Sequence, residues 1–435
     1  MKKLAFIIAI LNFAFFASAQ DIKKIRQSID VPYLENLYLY CHENPELSFH
    51  EVKTSARMAS ELEKIGFKVT RNVGGTGVVG VFENGDGPTI LVRTDMDALP
   101  IVEETGKPYA SKVKTTDDAG KEVGVMHACG HDMHMTVWVG AAQSLVKLKD
   151  QWKGTLVFIG QPAEERGGGA RDMLADGLYE RFPKPDKAIA LHVHPGLQAG
   201  SIGYCTGYCM ANVDMMDIAV HGRGGHGAYP HLAQDPIVLA AKIIMALQTI
   251  VSREISPLDP AVVTVGSIHG GTKGNVIPDD VKLELTIRSY KDDVRDELIS
   301  KIKRICEGEA MAAGIAEGNY PDVELRKEYT PALYNDPTMA NDLNSVFIQA
   351  VGADHVMEID PVMGGEDFAR YGRTADKIPV FMFRLGVVEA SQYEAAQRGE
   401  IKLPSLHSSK LTPDPVPTIK GGVTAMTAAV IHLMK

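Results

Sequence analysis

The chain has 435 residues, enough for two or more domains, and its 45% hydrophobic and 23% charged content is typical of a globular protein. A formal net charge of −10 argues against binding to nucleic acids or anionic membranes, which attract basic surfaces. With only five cysteines and a length that can bury a large core, the chain is not a small disulfide-stapled scaffold.

The N-terminal segment has the pattern of a signal peptide. MKKLAFIIAILNFAFFASAQ starts with two lysines, continues with an apolar run and ends in the small-x-small triplet Ala17-Ser18-Ala19. The run is short for a membrane span, and an uncleaved anchor is the alternative. We predict removal of residues 1–19 and an exported protein, periplasmic or secreted, without stable membrane insertion after cleavage. No later stretch is interpreted as transmembrane.

Nearly continuous apolar runs predict strands that are buried on both faces. They are TILVRTDMD (89–97), GTLVFIGQP (154–162) and KAIALHVHP (187–195), with PVFMFRLG (379–386) as a fourth. The first three lead into polar pairs, namely Asp95 and Asp97, Glu164 and Glu165, and His192 and His194. Open α/β sheets bind ligands at the carboxyl ends of their strands. The sequence therefore predicts an α/β fold with acids and imidazoles along one sheet edge.

The segment MHACGHDMH (126–134) concentrates metal-binding residue types. His127, Cys129 and His131 share a face if the segment is extended, and a helical pattern begins at Asp132. Thiolate and imidazole are ligands that zinc and similar metals prefer. The alternative is a buried cysteine with surface histidines.

The acidic pair after the second strand suggests a division of labour, with one metal ligand and one general base; a solvated acidic turn is the alternative. His192 and His194 alternate along a strand, so only one should face the crevice, and His407 is an isolated loop histidine. By residue type, a five-ligand set suits two metals with open positions. This set is Cys129, His131, Glu165, His192 and His407.

Residues from about 210 to 329 follow the order β-α-β-β-α-β, the split pattern of a small two-layer domain. Its first helix opens at Asp235-Pro236 and has an apolar series of Ile237, Ala241, Ile244, Leu247 and Val251. Its second helix carries Val294, Leu298, Ile302 and Ile305. We predict that this domain, 210–329, is inserted into a catalytic domain made of residues 20–209 and 330–435.

The motifs together resemble the metal-dependent amidohydrolase family of aminoacylases, hippurate hydrolases and auxin-conjugate hydrolases, related to the glutamate carboxypeptidases. They occur in the family's order over nearly the whole mature chain: HENPELSF, TGVVG, RTDMDALPIVEETG, MHACGHDMH, QPAEERGGGA, LHVHP, GGHGAYPH, GGTKGNVIPD, IRSY, MGGEDFARY and LHSS. The resemblance implies a di-metal α/β catalytic domain, like that of zinc peptidases, with an inserted α+β lid or dimerisation domain.

The resemblance also implies residue roles. The five-ligand set matches the family's metal ligands, and Glu164 matches the general base. His226 matches a lid histidine at the scissile group. Asn275 and Arg288 match lid groups that hold a substrate carboxylate, a role suited to arginine. The alternatives are a turn former at Asn275 and a surface strand residue at Arg288.

The chain departs from wider relatives after the first strand, where Arg93 replaces a histidine ligand. Cys129 and His131 are expected to supply the missing ligands, and Asp95 to orient a ligand rather than bridge metals. SSKLTPDP after His407 also departs from the family's acidic ending, which makes His407 the least supported ligand.

The predicted function is hydrolysis of N-acyl-L-amino acids by a metal-activated water, in a homodimer formed through the lid. Two divalent metal ions are expected; cysteine favours zinc, with manganese, cobalt and nickel as alternatives. A dipeptidase or carboxypeptidase with the same metals remains open, as does a non-catalytic exported protein that binds metal or peptide. The pairing of Cys41, Cys205, Cys209 and Cys306 also remains open.

Overall fold

The computed structural model describes residues 20–435, so the predicted signal peptide lies outside the described residues. The described chain forms two compact units. The larger unit comprises the described residues up to Gly207 with Tyr334–Asp360 and Arg370–Lys435; the inserted unit comprises Tyr208–Leu333 and Pro361–Ala369. Residues 361–369, which the sequence analysis assigns to the catalytic domain, thus cluster with the inserted segment. The predicted domain boundaries stay a prediction.

The helices, in chain order, are α1 (20–28), α2 (Val31–Glu43), α3 (Val52–Ile65), α4 (His131–Lys147), α5 (Gly169–Ala175), α6 (Leu178–Arg181), α7 (Pro236–Thr249), α8 (Asp292–Ala312), α9 (Pro337–Val351), α10 (Ala369–Gly372), α11 (Ala390–Gln397) and α12 (Pro415–Leu433). The strands are β1 (Lys68–Val73), β2 (Gly77–Glu83), β3 (Thr89–Asp95), β4 (Lys114–Thr116), β5 (Glu122–Gly124), β6 (Thr155–Gln161), β7 (Lys187–Gln198), β8 (Ile202–Tyr204), β9 (Gly207–Met210), β10 (Asn212–His221), β11 (Gly225–His226), β12 (Ala261–Gly270), β13 (Val276–Ile277), β14 (Asp280–Ser289), β15 (Asp322–Thr330), β16 (Leu333–Asn335), β17 (Val356–Glu358) and β18 (Val380–Val388).

The larger unit is built on a mixed eight-stranded sheet in the order β1-β2-β6-β3-β7-β18-β8-β17. The four predicted strands are adjacent at the centre of this sheet. Strand β3 runs parallel to β6 and β7, and β7 runs parallel to β18. All nine residues of β18 are buried, as their continuous apolar sequence predicts. The predicted α/β class is confirmed, and the carboxyl ends of these strands lie along one edge.

Helix α4 is buried along most of its length against this sheet and against α12. Its predicted core positions Val137, Ala141 and Leu145 are fully buried. Glycine allows the close approach of the two helices, because a Cβ atom at Gly140 would lie 2.6 Å from the Val423 side chain. The first turn of α4, which contains His131 and His134, is therefore held in place by the tight packing of the rest of the helix.

The inserted unit has the predicted β-α-β-β-α-β order, with a four-stranded antiparallel sheet ordered β12-β14-β10-β15. The predicted apolar positions of α8 are buried in its core: Val294, Leu298, Ile302 and Ile305. Helix α7 opens as predicted, because the Asp235 side chain accepts hydrogen bonds from the amides of Ile237 and Val238.

The apolar face predicted for α7 is wrong. The stripe that packs into the unit comprises Leu239, Ala240, Ile243, Leu247 and Ile250. Of the predicted series only Leu247 is buried, and Ile237 and Val251 are exposed. The helix is apolar on two sides, so periodicity alone did not show which side faces the sheet. A second apolar stripe, which includes Ile237, Val238 and Met245, therefore remains exposed among residues 20–435.

This helix also corrects the expectation that no later stretch could be transmembrane. Residues Pro236–Glu254 are long and apolar enough, by length and composition, to cross a bilayer. A single such helix is weak evidence, because core helices of soluble proteins meet the same criteria. A third of its apolar window is buried inside the protein.

His42, near the end of α2, connects that helix to the first turn of α4. Its Nδ1 lies 2.6 Å from the Asp132 carboxylate and its Nε2 lies 3.1 Å from Glu103. Burial lowers the pKa of the imidazole, but the hydrogen bonds to the two carboxylates outweigh burial and raise the pKa of His42 to about 10. His42 is therefore an imidazolium ion at neutral pH.

This ion should make stability depend on pH. Because the folded-state pKa of His42 is raised, its contribution is complete below the ordinary pKa near 6.5 and is lost as pH rises towards 10. The part of the loss due to His42 should be on the order of 3 kcal/mol and should be absent in His42→Gln, which keeps the part due to other shifted groups such as His131. Urea unfolding of both proteins between about pH 6 and about pH 9.5 measures the difference. His50→Gln, which removes an exposed pair with Asp118, is the control and should keep the wild-type slope.

Candidate functional site

The candidate site lies at the carboxyl ends of the parallel strands of the larger unit. Strand β3 ends at Asp95, β6 leads into the turn that contains Glu164 and Glu165, and β7 carries His192. Cys129 and His131 stand at the start of α4, and His407 lies in the loop before α12. The sheet topology thus places side chains from five separate segments together.

Two histidines present the same ring nitrogen to the cluster. His131 Nδ1 lies 2.8 Å from the backbone oxygen of Asp97, and His192 Nδ1 lies 2.8 Å from the backbone oxygen of Val193. A carbonyl can only accept, so each Nδ1 carries a proton, and Nε2 is the ring nitrogen that faces the cluster. The buried Nε2 of His131 has no hydrogen-bond partner, and that of His192 lies 3.4 Å from Cys129 Sγ.

The five predicted ligands form two groups that share Cys129, and within each group the donor atoms lie within 4.8 Å of one another. One group is Cys129, His131 and His192; the other is Cys129, Glu165 and His407. His407 Nε2 lies 3.4 Å from one Glu165 oxygen, and the other Glu165 oxygen is buried without a hydrogen bond. Sulfur, nitrogen and oxygen donors in this arrangement fit divalent metal ions.

The charges of the cluster also fit cations. Burial, and then the Glu165 and Glu164 charges, raise the pKa of the Cys129 thiol well above its usual range. Burial raises the pKa of Glu165 to about 7. Burial lowers the pKa of His131, but Asp95 and Asp97 outweigh it and raise that pKa to about 10. Protons thus accumulate where a cation would offset the same negative charge.

Asp95 and His134 support the cluster from behind. His134 Nδ1 lies 2.6 Å from one Asp95 oxygen, and His134 Nε2 accepts the amide hydrogen of Val193 at 2.8 Å. The second Asp95 oxygen lies 2.7 Å from the Arg93 guanidinium, which is fully buried. Both nitrogens of His134 are therefore engaged, and Asp95 is bound by groups that orient it.

MHACGHDMH begins as a loop that leads into α4, and it is not the extended segment in which His127, Cys129 and His131 would share a face. Residues 128 and 129 form a turn rather than an extended strand, and Gly130 follows with φ +78°, where a Cβ would lie 2.5 Å from Val193. His127 is buried, and both its ring nitrogens lack partners. It lies outside both ligand groups. Burial lowers the pKa of His127 to about 4, so it is neutral.

The alternating histidines of β7 divide as their spacing suggests. His192 joins the ligand group, whereas Nδ1 of the partly buried His194 accepts the amide hydrogen of Gly196 at 3.1 Å. Burial lowers the pKa of His194 to about 4.

Asp97 holds the acidic turn through contacts that no sequence pattern predicted. One of its oxygens accepts the amide hydrogen of Glu164 at 3.1 Å, and the other accepts that of Glu165 at 3.0 Å. The Ser48 hydroxyl donates to the same carboxylate at 2.6 Å. The sequence signal that could have indicated this contact is the motif HENPELSF, which contains Ser48 and occurs in the same chain as the segment that contains Asp97.

The predicted lid residues lie in the inserted unit. His226 on β11 and Val276 on β13 are paired, and the Gly227 amide donates to the Asn275 backbone oxygen at 2.8 Å, so His226 and Asn275 are neighbours. His226 is exposed.

Arg288 on β14 donates to the Thr286 hydroxyl at 3.2 Å and to the Met363 backbone oxygen at 3.0 Å. Burial lowers its pKa, and no carboxylate among residues 20–435 forms an ion pair with it.

A cavity of about 190 Å³ borders Glu165 in the larger unit. Leu47, Ala98 and Leu99 give it apolar walls. Arg166 at its edge is paired with Asp118, so this cation is already neutralised. The lining thus combines apolar walls with polar and acidic groups, which include Ser48, His50 and Asp117.

A mixed sheet whose central parallel strands carry a thiol, imidazole and carboxylate cluster at their carboxyl ends, together with an α+β insertion, is the arrangement of a metal-dependent hydrolase. Residues 91–405 match the profile of Peptidase family M20/M25/M40. The chain belongs to this family and is a metal-dependent amidohydrolase, which confirms the resemblance seen in its motifs.

Similar proteins have related activities. The chain is 38% identical over 349 residues to thermostable carboxypeptidase 2 of Saccharolobus solfataricus, covering 79% of this chain and 83% of that protein. It is 38% identical over 333 residues to the N-acetyl-L-cysteine deacetylase of Bacillus subtilis, covering 76% of each chain. The structure resembles that of Bacillus subtilis YXEP, a dinuclear metal-binding M20 peptidase, with a TM-score of 0.73, 31% identity, and coverage of 93% and 99%.

The predicted export, to the periplasm or outside the cell, is corrected by these comparisons. The prediction depended wholly on residues 1–19, which lie outside the described residues. The similarity to N-acetylcysteine deacetylases of Bacillus subtilis does not support export.

The contrast between His131 and His134 gives a testable prediction about metal binding. Because only His131 has an unengaged Nε2, we expect His131→Gln to lose one metal ion on dialysis. His134→Gln should still bind both ions in excess metal, with affinity reduced about 10–100-fold, as for outer-shell partners. Elemental analysis and competition titration measure both effects. Equal metal loss in the two variants would contradict the assignment.

Proposed function

We propose that this protein hydrolyses the amide bond of N-acyl-L-amino acids and releases an acyl group and a free amino acid. The observation that carries the proposal is the adjacent pair Glu164 and Glu165, held beside a cysteine and histidine cluster. A protein that only bound metal would not need a second carboxylate next to a ligand. The proposal also agrees with the similarity to a deacetylase of N-acetyl-L-cysteine.

The five-residue cluster would hold two divalent metal ions, with Cys129 common to both groups. When bound, such ions lower the pKa of a coordinated water and polarise the substrate carbonyl. The thiolate and imidazole donors favour zinc, and manganese, cobalt and nickel remain alternatives.

Glu164 is assigned as the general base. One of its oxygens lies 4.0 Å from His131 Nε2, which places it beside the ligand group, and its amide is fixed by Asp97. In the reaction Glu164 accepts a proton from the attacking water, whose oxygen bonds to the amide carbon. Glu164 then passes this proton to the leaving nitrogen as the carbon–nitrogen bond breaks. Glu164 ends the cycle unprotonated.

Groups of the inserted unit are assigned to the substrate. His226 stabilises the developing oxyanion, and Asn275 and Arg288 bind the carboxylate of the amino acid. The support for Arg288 is physical: a half-buried guanidinium without an acidic partner gains most from an anionic ligand.

A second candidate, a carboxypeptidase or dipeptidase with the same metals, is favoured by the 38% identity to a thermostable carboxypeptidase. Both candidates use the same base and metals, so they differ in what precedes the scissile bond.

The deciding experiment compares N-acetyl, N-benzoyl and N-aminoacyl forms of one amino acid, with the N-acetyl amino-acid amide as a fourth substrate. We expect chelator-sensitive hydrolysis of the N-acyl acids and little of the amide, which lacks the carboxylate for Arg288. Glu164→Gln should lower kcat by about 10²–10⁴-fold with metal content unchanged.

Cleavage of the N-aminoacyl form alone would move the protein to the exopeptidases. If none of the substrates were hydrolysed while metal was shown to be bound, the result would favour a protein that binds metal or peptide without catalysis. A Glu164→Gln variant that kept most of its turnover would refute the role of the base.

A homodimer through the inserted unit is proposed from the uncovered stripe of α7. Val238 and Met245 are 52% and 72% exposed, and β12, an edge strand of the same unit, has an exposed Ile268. An apolar helix face beside an open strand edge is suited to a second copy, since a twofold axis buries both features at once.

Met245→Glu should convert the dimer to a monomer, because it would bury two charges in the contact. Light scattering after size exclusion measures the mass. Met311→Glu, an exposed methionine on α8, is the control and should leave the mass unchanged. A monomeric wild-type protein, or a Met245→Glu dimer, would refute this interface.

A further inference from the structure

We propose that Glu51 is a positioning residue for the two active-site glutamates, which it holds in place through the main chain of Ala163. The inference rests on the proposed function for its kinetic consequences. It does not follow from the family roles given above, because Glu51 is neither a ligand nor a base.

The contacts of Glu51 join three segments. It is fully buried just before α3, and one of its oxygens accepts the amide hydrogens of Ala163 at 2.8 Å and Phe49 at 2.9 Å. The other oxygen accepts the hydroxyl of Thr76, in the turn between β1 and β2, at 2.7 Å. One carboxylate thus ties the entry of α3 and a hairpin turn to the acidic turn.

Both amide donors lie in unfavourable backbone. Ala163 has φ +48° and Phe49 has φ +68°, the left-handed region that residues with a side chain seldom adopt. Such conformations persist only where surrounding contacts hold them. A shared buried carboxylate is a strong acceptor, so it stabilises both residues in these conformations.

The turn is held amide by amide. Ala163 donates to Glu51, and the next two residues, Glu164 and Glu165, donate to separate oxygens of Asp97. Three consecutive amides are therefore held by two buried carboxylates from other segments. This arrangement fixes the main chain from which both active-site carboxylates project, so its first contact controls their direction.

The position is costly, which argues that the contacts matter. Burial, and then the charge of Asp97, raise the pKa of Glu51 to about 7. A buried acid that faces a second acid is retained only if its hydrogen bonds compensate.

The test compares Glu51→Ala and Glu51→Gln with Glu61→Ala. Glu61 is the matched control, because it is a buried carboxylate on α3, the helix that Glu51 precedes, and it binds Tyr33 and Arg57 rather than the acidic turn. Saturating zinc, a single N-acetyl amino acid and a temperature at which circular dichroism shows every variant folded are used throughout.

At saturating zinc we expect Glu51→Ala to lower kcat about 10–100-fold and to leave KM within about twofold, since displacement of the base affects the chemical step. Zinc affinity, measured by competition titration, should fall about tenfold because Glu165 is also displaced. Glu51→Gln should restore both values, because its amide oxygen can accept both amides. Glu61→Ala should lower only the melting temperature.

Equal kcat and zinc affinity in Glu51→Ala and Glu61→Ala would overturn the proposal. If Glu51→Ala does not fold, Thr76→Val takes its place, since it removes only the hydroxyl donor. Its kcat should fall about threefold at constant KM, and an unchanged kcat would overturn the proposal. If the wild-type protein hydrolyses no N-acyl amino acid but the zinc affinities follow the expected order, the proposed function fails and the positioning role stands.

Discussion

The contact on which the site depends most is the one between Asp97 and the turn after β6. Its carboxylate binds the amides of Glu164 and Glu165, and its backbone oxygen fixes the ring of His131. One residue just after β3 thus sets the positions of Glu164, Glu165 and His131, the proposed base and two of the proposed metal ligands. It can do so because β3 and β6 are parallel neighbours in register, which brings their carboxyl ends together.

This arrangement concentrates negative charge in a buried place. Asp95, Asp97 and Glu165 are all at least nine-tenths buried, and only some of their charge is met by Arg93. The remaining negative charge raises the pKa values of His131 and Cys129, so both side chains hold their protons. Metal binding should therefore release protons, and the same event should stabilise the fold, because a divalent ion replaces separate protons in one low-dielectric site.

The sequence predicted what depends on periodicity and residue type. The four central strands, the order of the inserted unit and the start of α7 at Asp235 all follow from short-range patterns. The buried face of α7 could not be predicted, since both sides of that helix are apolar and tertiary packing decides between them. The contacts of Glu51 could not be predicted for another reason. Its bond to Ala163 joins positions 112 residues apart and involves a backbone amide, which no side-chain pattern indicates.

The surroundings of Arg93 support the proposal that Cys129 and His131, at the start of α4, are metal ligands. Its guanidinium is fully buried and bound to Asp95 and Gln161, so this position of β3 donates hydrogen bonds and cannot donate a lone pair to a metal. A cationic side chain there lowers the negative charge around Asp95, and it leaves a ligand to be supplied from elsewhere. The turn at Gly130 carries a candidate, Cys129, to within 3.4 Å of His192. A metal ion bound by the proposed ligand set would hold Cys129 as a thiolate, whose negative charge would offset the positive charge of Arg93.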